Sequence, residues 1–292
     1  MLARNGWRFN FEAAPRAVCL APVLAALRTN LLFNELVMEP LYPQRSRTDL
    51  IRPLAIGSIA GQLTWVVIVV GAGLLEPGYS EVRDAVSVLG ARDAAHPWLF
   101  DAAVAIWGIS LILAALALAL DAKRSWRGWL GPGLIAFTGL AQILDGFPFP
   151  ADCRWTIDAS CRAREMAGEL SWQHYAHGIT YFFGAVALMF SVFAMAWRFH
   201  DDERWRRFDL FALVGGLLGL LIVGGLFFLG ANEPGGHYGL IQRFALAAGG
   251  FWILALTVGL LVVRGGTASA EAPGSVSAAR PGSPDAGSQA GG

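Results

Sequence analysis

Six stretches of the chain are apolar over about the 20 residues that a helix needs to cross a bilayer. They run from Leu54 to Leu75, opened by Pro53; from Trp98 to Leu120; from Trp129 to about Phe147; from about His177 to Trp197, with polar residues at the start; from Asp209 to Gly230; and from about Leu240 to Val263. A soluble core helix would show one apolar stripe, and these are apolar all round. The pattern predicts an all-α polytopic bundle of six transmembrane helices over residues 53–264. Residues 265–292 are Gly, Ala, Ser and Pro with almost no large apolar side chain, which predicts a disordered tail. Residues 1–52 predict a cytoplasmic segment, partly amphipathic or disordered, in which Ala17 to Leu27 is apolar but interrupted by Pro22. Met38 is a second candidate start, ahead of the first span.

Composition agrees with a membrane protein. Hydrophobic residues make up 55% of the 292 and charged residues 15%, and ordinary soluble domains carry about 25% charged. The mean hydropathy is +0.50. The net charge is zero, and the absence of a basic excess excludes a nucleic-acid binder.

Charge also orients the bundle. With six spans both termini share one side. That side collects Arg4, Arg8, Arg16, Arg28, Arg45, Arg47, Arg52, Lys123, Arg124, Arg127, Arg198, Arg204, Arg206, Arg207, Arg264 and Arg280, which is 16 of the 22 basic residues. The other side has Arg83, Arg92, Arg154, Arg162, Arg164 and Arg243. The basic side faces the cytoplasm. This predicts a multi-pass protein of the cell membrane, of the bacterial inner-membrane type, with both termini inside.

The outer connections carry the chemistry. Four of the five histidines lie there: His96, His174, His177 and His237. His174 and His177 are three residues apart, hence on one helical face. With Asp152 they form a candidate ligand set for zinc or a similar ion. Asp145 lies near the outer end of the third span with Gln142 on the same face. An ionisable group at that depth costs about 3 kcal/mol unless paired, so Asp145 is a candidate catalytic carboxylate and Arg243 its candidate ion-pair partner. Ser87 is a candidate catalytic residue, although a structural role suits it too, since Val82, Ala85, Val86 and Leu89 recur at helical spacing and predict a short amphipathic segment that Ser80 caps. Tyr79, His96, Asp101 and His237 complete the candidate binding residues. Cys153 and Cys161, eight apart on the outer side, predict a structural disulfide in an oxidising compartment. Gly57 with Gly61, and Gly215 with Gly219, are small-residue pairs suited to helix packing.

The stretch from Gly78 to Leu111 resembles the DUF998 family of multi-spanning membrane proteins. The residues that carry the likeness are Tyr79, Ser80, Ser87, Leu89 and Gly90, followed by Gly108 in the next helix. The segment GLAQILDGFPFPAD adds Phe149, Pro150 and Asp152, and a His ahead of the fourth span, His174 or His177, adds a third element. The likeness extends over about residues 53–264. It implies six helices and a polar outer face, and the family name assigns no activity.

Three functions fit these residues. The first is an integral membrane protein whose polar, His- and Asp-containing outer vestibule binds a lipid headgroup or a protein partner. The second is an intramembrane hydrolase acting on lipids, with metal-bound water attacking and a carboxylate as base. The third is a small transporter. It is disfavoured because the stretch from Leu213 to Leu229 carries no charged or amide side chain and no paired broken helices appear.

Overall fold

The computed structural model describes residues 44–123, 125–230 and 236–270. From Thr48 onward the chain forms one compact unit. The expectations for residues 1–43, including the start at Met38, and for residues 271–292 fall outside the described residues. Among those described, all regular structure is helical: α1 Gln44–Leu75, α2 Pro97–Asp121, α3 Trp126–Gly146, α4 Ala159–Met166, α5 Trp172–His200, α6 Asp209–Gly230 and α7 Tyr238–Ala270. Two 3₁₀ turns, Val86–Gly90 and Arg206–Phe208, lie in the connections.

Four helical segments are long and apolar enough to cross a membrane: Asp49–Leu75, Pro97–Asp121, Trp172–His200 and Tyr238–Arg264. A shorter apolar run covers Asp209–Gly219. Large side chains such as Leu63, Val67, Leu74, Phe183 and Phe190 stand exposed on these helices, as lipid-facing surfaces require.

Several boundaries differ from the hydrophobic pattern. Pro53 lies inside α1 rather than opening it. The polar residues ahead of it continue the helix, which forgoes one backbone hydrogen bond at Pro53, its tenth residue. Likewise α7 continues to Ala270, so residues 265–270 are helical rather than part of a disordered tail. The outer residues 81–90 form turns and a 3₁₀ helix instead of an amphipathic α-helix, because the Asp84 carboxylate accepts from the Ser80 N–H at 2.7 Å and closes the chain locally. The short helix α4 has no counterpart in the hydrophobic pattern. Its start is fixed by Asp158, which accepts from the Ser160 N–H at 2.8 Å.

Close helix approach is set by small residues. A Cβ at Gly108 would stand 2.5 Å from the Gly139 carbonyl, and one at Gly139 would stand 2.5 Å from the Gly108 carbonyl. The α2 and α3 backbones therefore touch. The Gly57/Gly61 pair seats α1 on α2, since a Cβ at Gly61 would lie 2.7 Å from Ser110 Cβ. Trp65 of α1 then stacks on Trp107 of α2 at 4.7 Å. The second pair is not a contact of this kind: a Cβ at Gly219 meets nothing within 4 Å. Of the spans, α2 is the most enclosed and α1 the least.

One buried carboxylate organises the end opposite the outer loops. Asp121, at the end of α2, pairs with Arg198 of α5 at 3.1 Å and with Arg264 of α7 at 2.8 Å. It also meets Arg204 at 3.4 Å and accepts from the Trp205 indole at 3.1 Å. Trp205, itself fully buried, stacks on Phe199 at 4.8 Å. Removing one member of a buried ion pair strands its partner in low dielectric, at about 3–5 kcal/mol. Asp121→Ala is therefore expected to lower stability by about that much, chiefly through Arg198. Thermal unfolding in detergent checks this, and an unfolding temperature equal to wild type would contradict it.

Candidate functional site

At the end of the bundle away from Asp121 the α1–α2 and α3–α5 connections, predicted above to lie outside, fold over the helices as one polar cap. Glu76, buried at the end of α1, pairs with Arg154 at 2.6 Å and accepts from the Ala95 N–H at 2.8 Å. Arg154 also reaches Asp93 at 3.5 Å. Asp152 accepts from the Ser171 N–H at 2.6 Å and the Ser171 hydroxyl at 2.7 Å, and pairs with Arg92 at 3.0 Å. Burial opposes ionisation of Asp152, but Ser171 and then Arg92 together hold its carboxyl below the usual range. The disulfide Cys153–Cys161, with Cα atoms 6.0 Å apart, ties α4 to this cap and forms a small apolar cluster with Leu170 and Trp155.

Ser171 also starts α5, accepting from the His174 N–H at 3.4 Å. His174 and His177 consequently enter the cap one turn apart, but they face different partners. His174 Nδ1 accepts from the Asp152 N–H at 3.2 Å, and Nε2 faces Glu165 at 3.4 Å. Its proton therefore sits on Nε2. His177 Nδ1 faces only acceptors: Asp145 Oδ1 at 3.0 Å, the Phe149 carbonyl at 3.0 Å and the Asp145 carbonyl at 3.3 Å. Its proton therefore sits on Nδ1. Thr180 adds a hydroxyl 3.0 Å from Asp145 Oδ1. The two imidazoles thus hold opposite tautomers, and both nitrogens of His174 are occupied. Among the described residues no group of three or more His, Cys, Asp or Glu converges as a metal site. The set His174, His177 and Asp152 is not assembled, because His174 bonds the Asp152 N–H and faces Glu165 while His177 faces Asp145 and the Phe149 carbonyl.

The expected ion pair between Asp145 and Arg243 is also replaced. Asp145 belongs to His177 and Thr180, whereas Arg243 pairs with Glu81 and takes the Tyr79 hydroxyl. Arg243 also donates to the carbonyls of Glu81 at 2.6 Å, Gly239 at 3.1 Å and Asp84 at 3.2 Å. The cause is backbone register: the Gly239 and Leu240 N–H groups bond to the Arg83 and Val82 carbonyls, which pins the start of α7 to the first outer connection. Burial pushes the Tyr79 hydroxyl up to about 12 against the pull of Arg243. Asp101 packs its backbone against Gly146, within electrostatic reach of His177. Ser87 lies half-buried in the Val86–Gly90 turn, away from the hydrogen bonds of the two histidines. His96 caps α2 without a side-chain bond, and His96 and His237 are exposed.

Beneath the cap lies a cavity of about 290 Å³ between α2, α3, α5, α6 and α7. It reaches from Gly178 to Val192 along α5, about 21 Å at 1.5 Å per residue. Thr138, Gln142, Tyr181 and Tyr238 supply its polar wall, and Leu188 and Val192 part of the apolar one. Trp107 and Trp252 also line it, and neither buried indole N–H has an acceptor. An unpaired buried donor costs about 1–3 kcal/mol. Neither the cavity nor the Asp121 cluster was anticipated. The only sequence signal for the cavity was the Gly215/Gly219 pair, which lines it.

Apolar helices flanked by a polar cap define a multi-pass membrane protein. The chain belongs to the DUF998 family, described as proteins of unknown function, whose profile matches residues 59–259. No curated protein and no solved structure matches the chain.

Because the Asp152 carboxyl is depressed in the fold, its contribution is complete above the unfolded value of about 3.9 and disappears as the pH falls through the lower folded value. The stability gap between wild type and Asp152→Asn is expected to be constant near neutral pH and to close below about pH 4. Thermal unfolding across an acid series checks this, and a gap that persists at the lowest pH would contradict it.

Proposed function

We propose that this protein is a six-span protein of the bacterial inner membrane, with both termini cytoplasmic, that holds a membrane lipid in the cavity beneath its outer cap. The observation that carries the reading is the side opening of the cavity. Gly178 and Phe182 both line it and both stand exposed on α5, beside exposed Ile179 and Phe183. A ligand can therefore enter from the acyl layer. The polar residues Tyr181, Tyr238 and Gln142 lie toward the outer vestibule of His177 and Asp145, and the far end is apolar, which matches a head and a chain. At the low end of pocket volumes, about 300 Å³, the space suits one chain or small head rather than a whole two-chain lipid.

The two further spans are α3 and α6. Exposed Trp126 and Trp129 stand at one end of α3 and exposed Phe147 at the other, about 30 Å apart by helical rise. That separation is the hydrocarbon thickness, and aromatic side chains mark its two borders. The basic inner loops support the orientation. A metal-dependent hydrolase has less behind it, since His174 and His177 are drawn apart. A transporter has less still, since ion pairs around Asp121 fill the inner end.

Two experiments test the reading. With Met166→Cys and Arg127→Cys introduced singly in intact cells, an impermeant maleimide is expected to label only Met166→Cys. Labelling of Arg127→Cys alone would invert the topology. Second, native mass spectrometry of the full chain in mild detergent is expected to show about one retained lipid per chain, lost in Ala248→Phe, which fills the cavity. Equal lipid retention in both proteins would overturn the proposed site.

A further inference from the structure

The polar wall of the cavity specifies the kind of lipid head it takes, a step that rests on the lipid-holding reading above. Gln142 is 4% exposed and lines the cavity, yet its side chain makes no hydrogen bond among the described residues. Its amide atoms are not closed off from water-sized space, as the indole nitrogens of Trp107 and Trp252 are, so they open on the cavity. They offer an occupant one acceptor and two donors. Tyr181 faces the same space. Gln242, itself buried, accepts from the Val86 N–H at 2.7 Å and also hydrogen-bonds the Tyr181 hydroxyl. A hydroxyl both donates and accepts, so Tyr181 keeps one function for an occupant. Tyr238 lines the cavity within electrostatic reach of Tyr181, and its hydroxyl has no hydrogen bond among the described residues. The Thr138 hydroxyl, one turn deeper than Gln142, is already spent on the Leu134 and Gly184 carbonyls, both at 3.0 Å.

Charge and length narrow the class further. Among the described residues the lining carries no Asp, Glu, Lys, Arg or His. In the cap above it Arg92 is committed to Asp152, Arg154 to Glu76 and Arg243 to Glu81, and His177 faces Asp145. None of these groups is left to answer a phosphate or an ionised carboxylate beside Gln142, and an unanswered charge at that depth is costly. Gln142 lies about 6 Å inside the outer end of α3 at 1.5 Å per residue, which is the level of a lipid head and its first linkage. From Tyr181 inward to Val192 the wall runs about 17 Å along α5, close to half of the roughly 30 Å hydrocarbon core. Over that length about 290 Å³ leaves room for one chain across. We infer that the cavity holds an uncharged, single-chain lipid with a hydroxyl-bearing head, the chemistry of a monoacylglycerol. The head sits on Gln142, Tyr181 and Tyr238, and the chain runs inward to Val192. Each glycerol hydroxyl donates and accepts, which suits a wall that offers both functions.

The test presents the full chain in mild detergent with a monoacylglycerol, a diacylglycerol and a lysophosphatidylglycerol of the same acyl chain, and reads retained lipid by native mass spectrometry. Wild type is expected to retain one monoacylglycerol per chain in preference to the other two. Gln142→Leu is expected to weaken that retention about tenfold and Tyr238→Phe several-fold, and Ala248→Phe to abolish it. Neither Gln142→Leu nor Tyr238→Phe gives up a hydrogen bond within the protein, so the unfolding temperature of the lipid-free protein is expected not to fall in either. If wild type prefers diacylglycerol or lysophosphatidylglycerol, this inference falls and the lipid-holding reading stands. If no lipid is retained above the Ala248→Phe background, both fall. Monoacylglycerol retention unchanged in both Gln142→Leu and Tyr238→Phe would overturn the head assignment and the inference with it.

Discussion

A carboxylate buried at the end of a membrane-crossing helix must be answered by positive charge, and Asp121 is answered from three directions. Arg198, Arg204 and Arg264 come from the end of α5, the following loop and the end of α7. Each cation reaches the same two oxygens only if its own position stands level with the end of α2. The ion cluster therefore sets the relative heights of three helices that apolar packing alone would let slide. Buried ion pairs contribute little net stability against apolar replacements, and their best-supported role is specifying one arrangement among near-equals. With α2, α5 and α7 fixed at one end, the space between them at the other end is also fixed, and that space is the cavity.

The outer end answers the same electrostatic demand differently. There the charges come from loops rather than helix ends: Glu76 with Arg154, Asp152 with Arg92, Arg243 with Glu81. The disulfide and the hydrogen bonds of Ser171 hold those loops in place as a cap. The bundle thus has a polar layer at each end and an apolar middle. In that middle the exceptions among the described residues stand out, and they are Ser58, Gln62, Trp65, Trp107 and Trp252, all buried and all with a polar atom left unpaired.

The apolar runs made the helices legible, because roughly 20 apolar residues permit little else. The four strongest spans, the Cys153–Cys161 bridge and the family likeness were all readable in this way. Pairings were not. Asp145 and Arg243 lie at similar depth with opposite charge, yet depth says nothing about which neighbour a helix start is stitched to. The backbone bonds from Gly239 and Leu240 decided that, and they depend on loop conformation. Likewise, a spacing of three places His174 and His177 on one face but cannot say which acceptors surround each ring. Asp121 was invisible for a related reason. Its place at the end of an apolar run says nothing of which cations lie beside it, and only the fold shows that three arginines share it.

The leftover donors are where the structure departs from what stability alone would select. Phenylalanine at Trp107 or Trp252 would keep nearly the same apolar area and the same stacking without stranding an N–H. Water in the cavity does not answer these groups, because each indole nitrogen is closed off from water-sized space. The unanswered N–H groups of Trp107 and Trp252 are therefore a cost of about 1–3 kcal/mol each that the packing of the middle layer carries.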